Sequence, residues 1–307
     1  MNNLAGMEVS NADRVVFPDD GITKGEVVDY YRMVADRLLP FIAGRALTVQ
    51  RFPRGIGGQG FMQKNTPDHA PEGLIGRHEV PKEGGGTTLY PVVHSVEGVL
   101  FFANLGVITF HVPPGKVDDE LRPDWAVWDL DPPEGGTAQV RKAAGRMRSL
   151  LDGFGIPTAL LASGSKGYHL RAKLETTLTA DQVAVIARGT AALAASAHDD
   201  LMTLAFRKAD RGERVFVDWM RNAPFATSVA PWSLRARERA PVAVPLSWDE
   251  LDSVDPDGVG LREVESRLAA DPWAGSGAVD PAPVLPKVEQ ALDEAGIELE
   301  PFDRFRS

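Results

Sequence analysis

The stretch W-A-V-W-D-L-D-P-P, residues 125–133, decides how the rest of the chain is read. An apolar and aromatic run leads into Asp129, Leu130 and Asp131, and two prolines then stop any further ladder of strand hydrogen bonds. Side chains alternate across a strand, so Asp129 and Asp131 project from one face and Leu130 from the other. Two carboxylates this close repel each other unless a cation lies between them. Hard oxygen donors of this kind suit Mg²⁺ or Mn²⁺, and paired ions can clamp the attacking and leaving oxygens of phosphoryl transfer. The plain alternative is a strand that ends in an Asp-Pro turn.

Two neighbouring segments strengthen the first reading. Residues 158–173 read as a hairpin turning at Gly164-Ser-Lys166-Gly167, within S-G-S-K-G-Y-H (163–169). Its glycines permit tight turns whose N–H groups can face phosphate, while Ser163, Lys166 and His169 add donors. An ordinary hairpin turn has the same composition. It is not a Walker A loop, since no Gly-Lys-Ser/Thr occurs. Farther on, V-F-V-D-W (215–219) reads as a buried strand bearing one carboxylate, Asp218, which suits a third metal ligand.

Around these lie further elements. Thr23 and Glu26 form a capping box before an amphipathic helix, and Thr179 with Gln182 caps another that runs to about residue 197. A helix is expected over 137–152, ended by Gly153 and Gly155, and strands over 47–52, 89–93 and 214–220. Residues 100–112 mix apolar and β-branched side chains and read as one or two strands. Strands and helices mix without strict βαβ alternation, which points to α/β layers with much antiparallel pairing. The segment from 249 to 307 reads as mainly helical and peripheral to a single catalytic domain spanning 1–307.

Composition bounds the function. The 307 residues are 43% hydrophobic and 25% charged, ordinary globular values. Without cysteine, disulfides, thiolate catalysis and cysteine-ligated metals are excluded. The net charge of −10 lies wholly in residues 249–307, which hold fifteen carboxylates and five cations; residues 1–248 carry 28 of each. The acidity is therefore no argument against nucleic acid in the body of the chain. Residues 205–239 even hold eight cations against four carboxylates, a solvated face or a phosphate-tracking groove. Of six histidines, His69, His78, His94 and His198 read as surface or core residues, and no H-E-x-x-H spacing suggests zinc. No run of about 18 apolar residues and no charged-then-apolar leader is found, so the expectation is a soluble cytoplasmic protein without membrane contact.

The order D-L-D-P, S-G-S-K-G-Y-H-L, V-F-V-D-W and S-V-A-P-W-S-L-R-A-R resembles the polymerase domain of bacterial ligase D, a member of the archaeo-eukaryotic primase superfamily. The likeness extends to 8–251, through S-N-A-D-R-V-V-F-P, L-T-V-Q-R-F-P, F-M-Q-K and P-L-S-W-D-E-L. It implies a mixed α+β primase-like fold, with central antiparallel-rich sheets flanked by helices. It implies that Asp129, Asp131 and Asp218 hold two Mn²⁺ or Mg²⁺ ions, Asp218 nearest the primer 3′-hydroxyl, with no organic cofactor. Ser163, Lys166, His169 and Arg235 would hold the incoming nucleoside triphosphate. His111 would read the ribose 2′-hydroxyl, which both donates and accepts hydrogen bonds. Arg14 and Lys24 would grip the 5′-phosphate of a gapped or broken duplex, with Arg51, Phe61 and Lys64 beside the DNA. A bacterial, nucleoid-associated location follows from the same likeness.

Some positions depart from the pattern. Gln50 replaces a basic residue, Met62 an aromatic and Ala226 a lysine. The first two weaken the expected grip on DNA ends more than the chemistry. The leading expectation is a stand-alone primase-polymerase that fills short gaps or extends broken ends and prefers ribonucleotides, with sealing by a separate ligase. The alternatives are a primer-synthesising primase and a non-catalytic scaffold of the same fold. An adenylyltransferase reading of K-A-D-R-G (208–212) fails, because an arginine interrupts K-x-D-G and the other ligase motifs are missing.

Overall fold

A computed structural model of the chain describes residues 3–4, 7–82 and 84–299. These fall into two compact units. The first comprises Met1–Val112, Thr227–Val244 and Asp257–Ala270, and the second Pro113–Ala226, Pro245–Pro256 and Asp271–Ser307, each within the described residues.

The first unit is built on a four-stranded antiparallel sheet in the order Ser228–Val229, Val107–Val112, Thr48–Arg51, Phe61–Gln63. The helix Lys24–Ile42 covers it. Thr23 and Glu26 close the expected capping box, and Val27, Tyr30, Tyr31, Val34 and Leu38 are buried along one face. The tyrosines are core residues with satisfied hydroxyls: Tyr30 donates to the Trp232 carbonyl at 2.8 Å and Tyr31 to that of Ile108. Ser233 accepts from the Phe110 N–H and Thr109 donates to the Leu234 carbonyl, fixing the 230–235 segment against the Val107–Val112 strand.

Residues 100–112 correct the expectation. Val96–Asn104 is a helix capped by Ser95, and only Val107–Val112 is a strand. Val99 to Ala103 are all buried, so no polar face marks the helical period, and a short apolar run of that kind is also compatible with a strand. The hairpin of Gly76–Pro81 with Thr87–Val92, and the edge strand Phe61–Gln63, carry little alternation and are set by their partners.

The second unit contains a six-stranded sheet in the order Met202–Thr203, Val215–Asp218, Trp125–Asp131, Tyr168–Lys173, Ala159–Ala162, Val244–Leu246. The pairs around Trp125–Asp131 are antiparallel, as the mixed reading requires. Helices Thr137–Gly153 and Ala180–Ala197 accompany it, the latter with the Thr179–Gln182 capping box. Fully buried Trp128 donates to the Ala187 carbonyl and the Thr190 hydroxyl, both at 3.1 Å, which fixes Ala180–Ala197 against the Asp-bearing strand.

Among the described residues, the acidic C-terminal segment is turns and short 3₁₀ stretches before one regular helix, Leu285–Ala295. That helix lies close on Ala180–Ala197: a Cβ on Gly189 would come 2.5 Å from Val288 and 3.1 Å from Leu292. Among the described residues no helix is long and apolar enough to cross a membrane.

Candidate active site

The second unit brings three carboxylates together. The strand register sets Asp129 directly opposite Asp218 on one side and His169 on the other, and Asp131 opposite Phe216. Asp218 is 4% exposed and His169 3%. Burial is the main cause that pushes the Asp131 carboxyl up to about 7, with the charges of Asp129 and Asp218 adding to it. Burial likewise raises Asp218, against the opposing pull of Arg221.

The oxygens of two carboxylates are already engaged. His169 Nε2 lies 3.2 Å from Asp129 Oδ1, and Arg221 Nε 3.3 Å from Asp129 Oδ2. A terminal nitrogen of Arg221 lies 2.9 Å from Asp218 Oδ2, and Asp218 Oδ1 accepts the Met220 N–H at 2.9 Å. Arg221 is a site residue that sequence reasoning counted only in a basic run. The available signal was its place three residues after Asp218, where the 3₁₀ turn Met220–Asn222 folds it back. Asn222 locks that turn: its side chain accepts from the Val127 N–H and donates to the carbonyls of Val127 and Trp219, all at 2.7 Å.

The Ser163–Gly167 turn stands beside the same strand. Ser163 N–H bonds to the Gly167 carbonyl at 3.1 Å, and Gly164 takes a left-handed φ of 66°. Gly167 has a second reason to lack a side chain, since a Cβ there would overlap the Leu130 carbonyl oxygen. The turn therefore approaches the Asp-bearing strand backbone to backbone. Ser163 is buried and Lys166 exposed. His169 Nδ1 is buried and makes no hydrogen bond among the described residues, so this histidine has one committed nitrogen and one that wants a partner.

Among the described residues no three His, Asp or Glu side chains close on one point as a finished metal cage. The donor chemistry nonetheless fits a hard divalent cation: three carboxylates on adjacent strands, two of them raised by burial and mutual repulsion.

The remaining expected residues lie in the first unit. His111 is on the Val107–Val112 strand, paired with Thr48 and Val229. Arg235 opens a turn closed by its N–H to the Pro241 carbonyl at 2.7 Å. Arg14 and Lys24 are neighbours: Lys24 N–H bonds the Arg14 carbonyl, and its ammonium donates to the Ser10 carbonyl at 2.6 Å and hydroxyl at 2.8 Å. Burial, then the Arg14 charge, lowers Lys24 to about 8. Arg14 Nε is buried without a hydrogen bond among the described residues. Arg51 pairs across from Phe61, its guanidinium 5.5 Å from that ring, but donates to the Leu105 carbonyl and Gln63. Phe61 and Met62 are 45% and 49% exposed, and Lys64 follows them in the open.

The family described as "LigD, primase-polymerase domain" matches residues 23–273. The chain is 36% identical over 273 residues to the multifunctional non-homologous end joining protein LigD of Mycolicibacterium smegmatis, covering 87% of this chain and 35% of that protein. It is 30% identical over 249 residues to the bifunctional non-homologous end joining protein LigD of Bacillus subtilis, covering 80% and 40%. It thus spans 35% and 40% of these relatives' length. A solved structure, the polymerase domain from Mycobacterium tuberculosis ligase D in complex with DNA, superposes with a TM-score of 0.80 at 34% identity, covering 87% of this chain and 95% of that one. With three carboxylates, a glycine-bearing turn and that likeness over nearly the whole chain, the protein belongs to the LigD primase-polymerase domain family.

Proposed function

We propose that this protein is a repair nucleotidyltransferase that adds nucleotides, ribonucleotides by preference, to primer ends at short gaps or breaks in duplex DNA. The observation that carries the reading is the cross-strand pairing of Asp129 with Asp218, beside a turn pressed onto Leu130 by Gly167.

Asp129, Asp131 and Asp218 would hold Mn²⁺ or Mg²⁺, two ions in all, which supply charge neutralisation and Lewis acidity at the phosphoryl oxygens. In the transfer, the primer 3′-oxygen bonds to the α-phosphorus, the α–β bridging bond breaks, and pyrophosphate leaves. Asp218, the most buried carboxylate, orients the attacking hydroxyl. Ser163 and Lys166 bind the triphosphate, and the second nitrogen of His169 completes that contact while the first positions Asp129. Arg235 adds charge to the triphosphate grip, and His111 reads the 2′-hydroxyl. Arg14 and Lys24 take the recessed 5′-phosphate, whose negative charge offsets their mutual repulsion. Arg51, Phe61 and Lys64 contact the DNA strand. Sealing of the extended end falls to a separate DNA ligase.

The decisive experiment supplies a 5′-phosphorylated gapped duplex, Mn²⁺ and either ribo- or deoxyribonucleotides to the protein and to Asp131→Ala. Extension by the first alone supports the reading, and binding without extension by both supports a scaffold. Equal use of the two sugars removes the role given to His111.

A further inference from the structure

We infer that Arg221 is the resident counter-ion of the carboxylate site, occupying Asp129 and Asp218 when no divalent cation is bound and yielding them when one arrives. This rests on the reading of those carboxylates as metal ligands.

The contacts of the carboxylate oxygens point the same way. Asp129 Oδ1 faces His169 Nε2, Asp129 Oδ2 and Asp218 Oδ2 face Arg221, and Asp218 Oδ1 accepts the Met220 N–H. Arg221 alone of these donors spans Asp129 Oδ2 and Asp218 Oδ2, so a cation bridging those two oxygens must meet and displace its charge. The Met220 N–H is backbone, held by the Asn222 lock on Val127 and Trp219. His169 is fixed within a strand, and its side chain is 4% exposed. The Arg221 side chain is 38% exposed and carries its charge on a long flexible stem. It is the one donor of the three that can withdraw without unfolding the turn. Opposed carboxylates on paired strands are destabilising when nothing lies between them, so a resident cation also explains how the metal-free site stays folded.

Arg221 therefore sets a threshold on the divalent cation: metal must outcompete a guanidinium, and the empty site costs less than three bare carboxylates. Metal occupancy and Arg221 position are coupled reciprocally.

The test is Mn²⁺ binding followed by electron paramagnetic resonance of free ion, on wild type, Arg221→Gln and Arg221→Lys. Arg221→Gln is expected to bind Mn²⁺ about tenfold more tightly than wild type, within the usual range of coupling between competing sites, and Arg221→Lys to stay within about twofold. Equal or weaker binding by Arg221→Gln, or no binding by any of the three proteins at millimolar Mn²⁺, overturns the inference. Should Arg221→Gln fail to fold, the side-chain Nε resonance of Arg221 in wild type decides it. A shift on saturation with Mg²⁺ is expected, and an unmoved resonance with bound metal overturns the inference. Neither readout uses nucleotide addition. A wild type that binds Mn²⁺ under this competition but extends no primer defeats the polymerase reading alone. One that extends primers while Arg221→Gln binds no tighter defeats the counter-ion alone.

Discussion

Asp129 and Asp218 sit directly opposite each other on adjacent antiparallel strands. Like charges so placed destabilise a sheet pair, and ordinary surface strands avoid them. Here Asp218 is buried and Asp129 half-buried as well, and the fold answers with Arg221, His169 and a backbone N–H. Asp131, on the same strand as Asp129, has its carboxyl pushed up to about 7. A sheet organised for stability would gain from replacing any of the three; one organised to receive metal ions would not.

Asp131 should therefore make stability fall with pH in the metal-free protein. A carboxyl near 7 in the folded chain and 3.8 unfolded adds no penalty below about pH 4. The penalty grows as pH rises between those values and is complete above 7. Asp131→Asn should raise the unfolding free energy at pH 7.5 by on the order of 2 kcal/mol and leave it unchanged at pH 4. Nucleotide addition should fall by about a thousandfold or more. Added Mn²⁺ should stabilise wild type and not the variant. Thermal denaturation across pH, with and without metal, measures all of this.

Lys24 carries the opposite sign. Its ammonium is lowered to about 8 by burial and Arg14, so the pair holds its full charge only below that pH. A terminal phosphate favours the protonated form, and binding it should take up a proton near pH 8. The preference for 5′-phosphorylated over 5′-hydroxyl DNA ends should be clear at pH 7 and shrink severalfold by pH 9. Lys24→Met should show little preference at either pH. Fluorescence anisotropy with the two duplexes checks this; a preference that does not change with pH would sink the phosphate role.

Much of this site is written in local sequence. The Asp129-Leu130-Asp131 alternation, the Gly164 and Gly167 turn and both capping boxes are local rules, and each is seen. The 96–104 helix is hidden because burial on all sides erases its period. Arg221 is hidden for another reason: its role depends on Asn222 binding Val127, a contact 95 residues away in sequence. Local pattern cannot separate it from the seven other cations of 205–239. Asn222→Ala should expose that dependence. It strips the partners from the buried Val127 N–H and carbonyl, while the Trp219 carbonyl keeps the backbone N–H of residue 222, at about 1–3 kcal/mol for each group left unsatisfied. Denaturant unfolding should show a loss of at least 2 kcal/mol, within that range.

The two glycines of the Ser163–Gly167 turn should respond unequally to alanine. Gly164 takes a left-handed φ of 66°, which strains any residue that carries a Cβ. Its alanine variant should lose about 1 kcal/mol. At Gly167 the new methyl overlaps the Leu130 carbonyl, one bond from the Asp131 amide, and the turn must move away from the strand. Gly167→Ala should cost about 3 kcal/mol and raise the KM for the nucleoside triphosphate at least tenfold, as expected when backbone is displaced at a binding turn. Similar effects from both substitutions would show that the turn is not pressed on the strand as described.

Phe61 and Met62 allow a gain of function as well as a loss. Both are nearly half exposed on the edge strand Phe61–Gln63, Phe61 with the Arg51 guanidinium 5.5 Å from its ring. An exposed aromatic beside cations is a stacking platform for an unpaired base, worth about 1–3 kcal/mol per base. A thioether stacks less well. Phe61→Ala should weaken binding to a duplex with a single-stranded overhang by about 5–100-fold and leave binding to blunt duplex nearly unchanged. Met62→Phe should strengthen overhang binding by several-fold, because a second ring is added at an open position where nothing must be repacked. The comparison belongs at one fixed salt concentration, since backbone contacts alone change affinity steeply with salt. If Met62→Phe improves blunt and overhanging duplex alike, the gain is non-specific surface apolarity, and the stacking role of this strand falls with it.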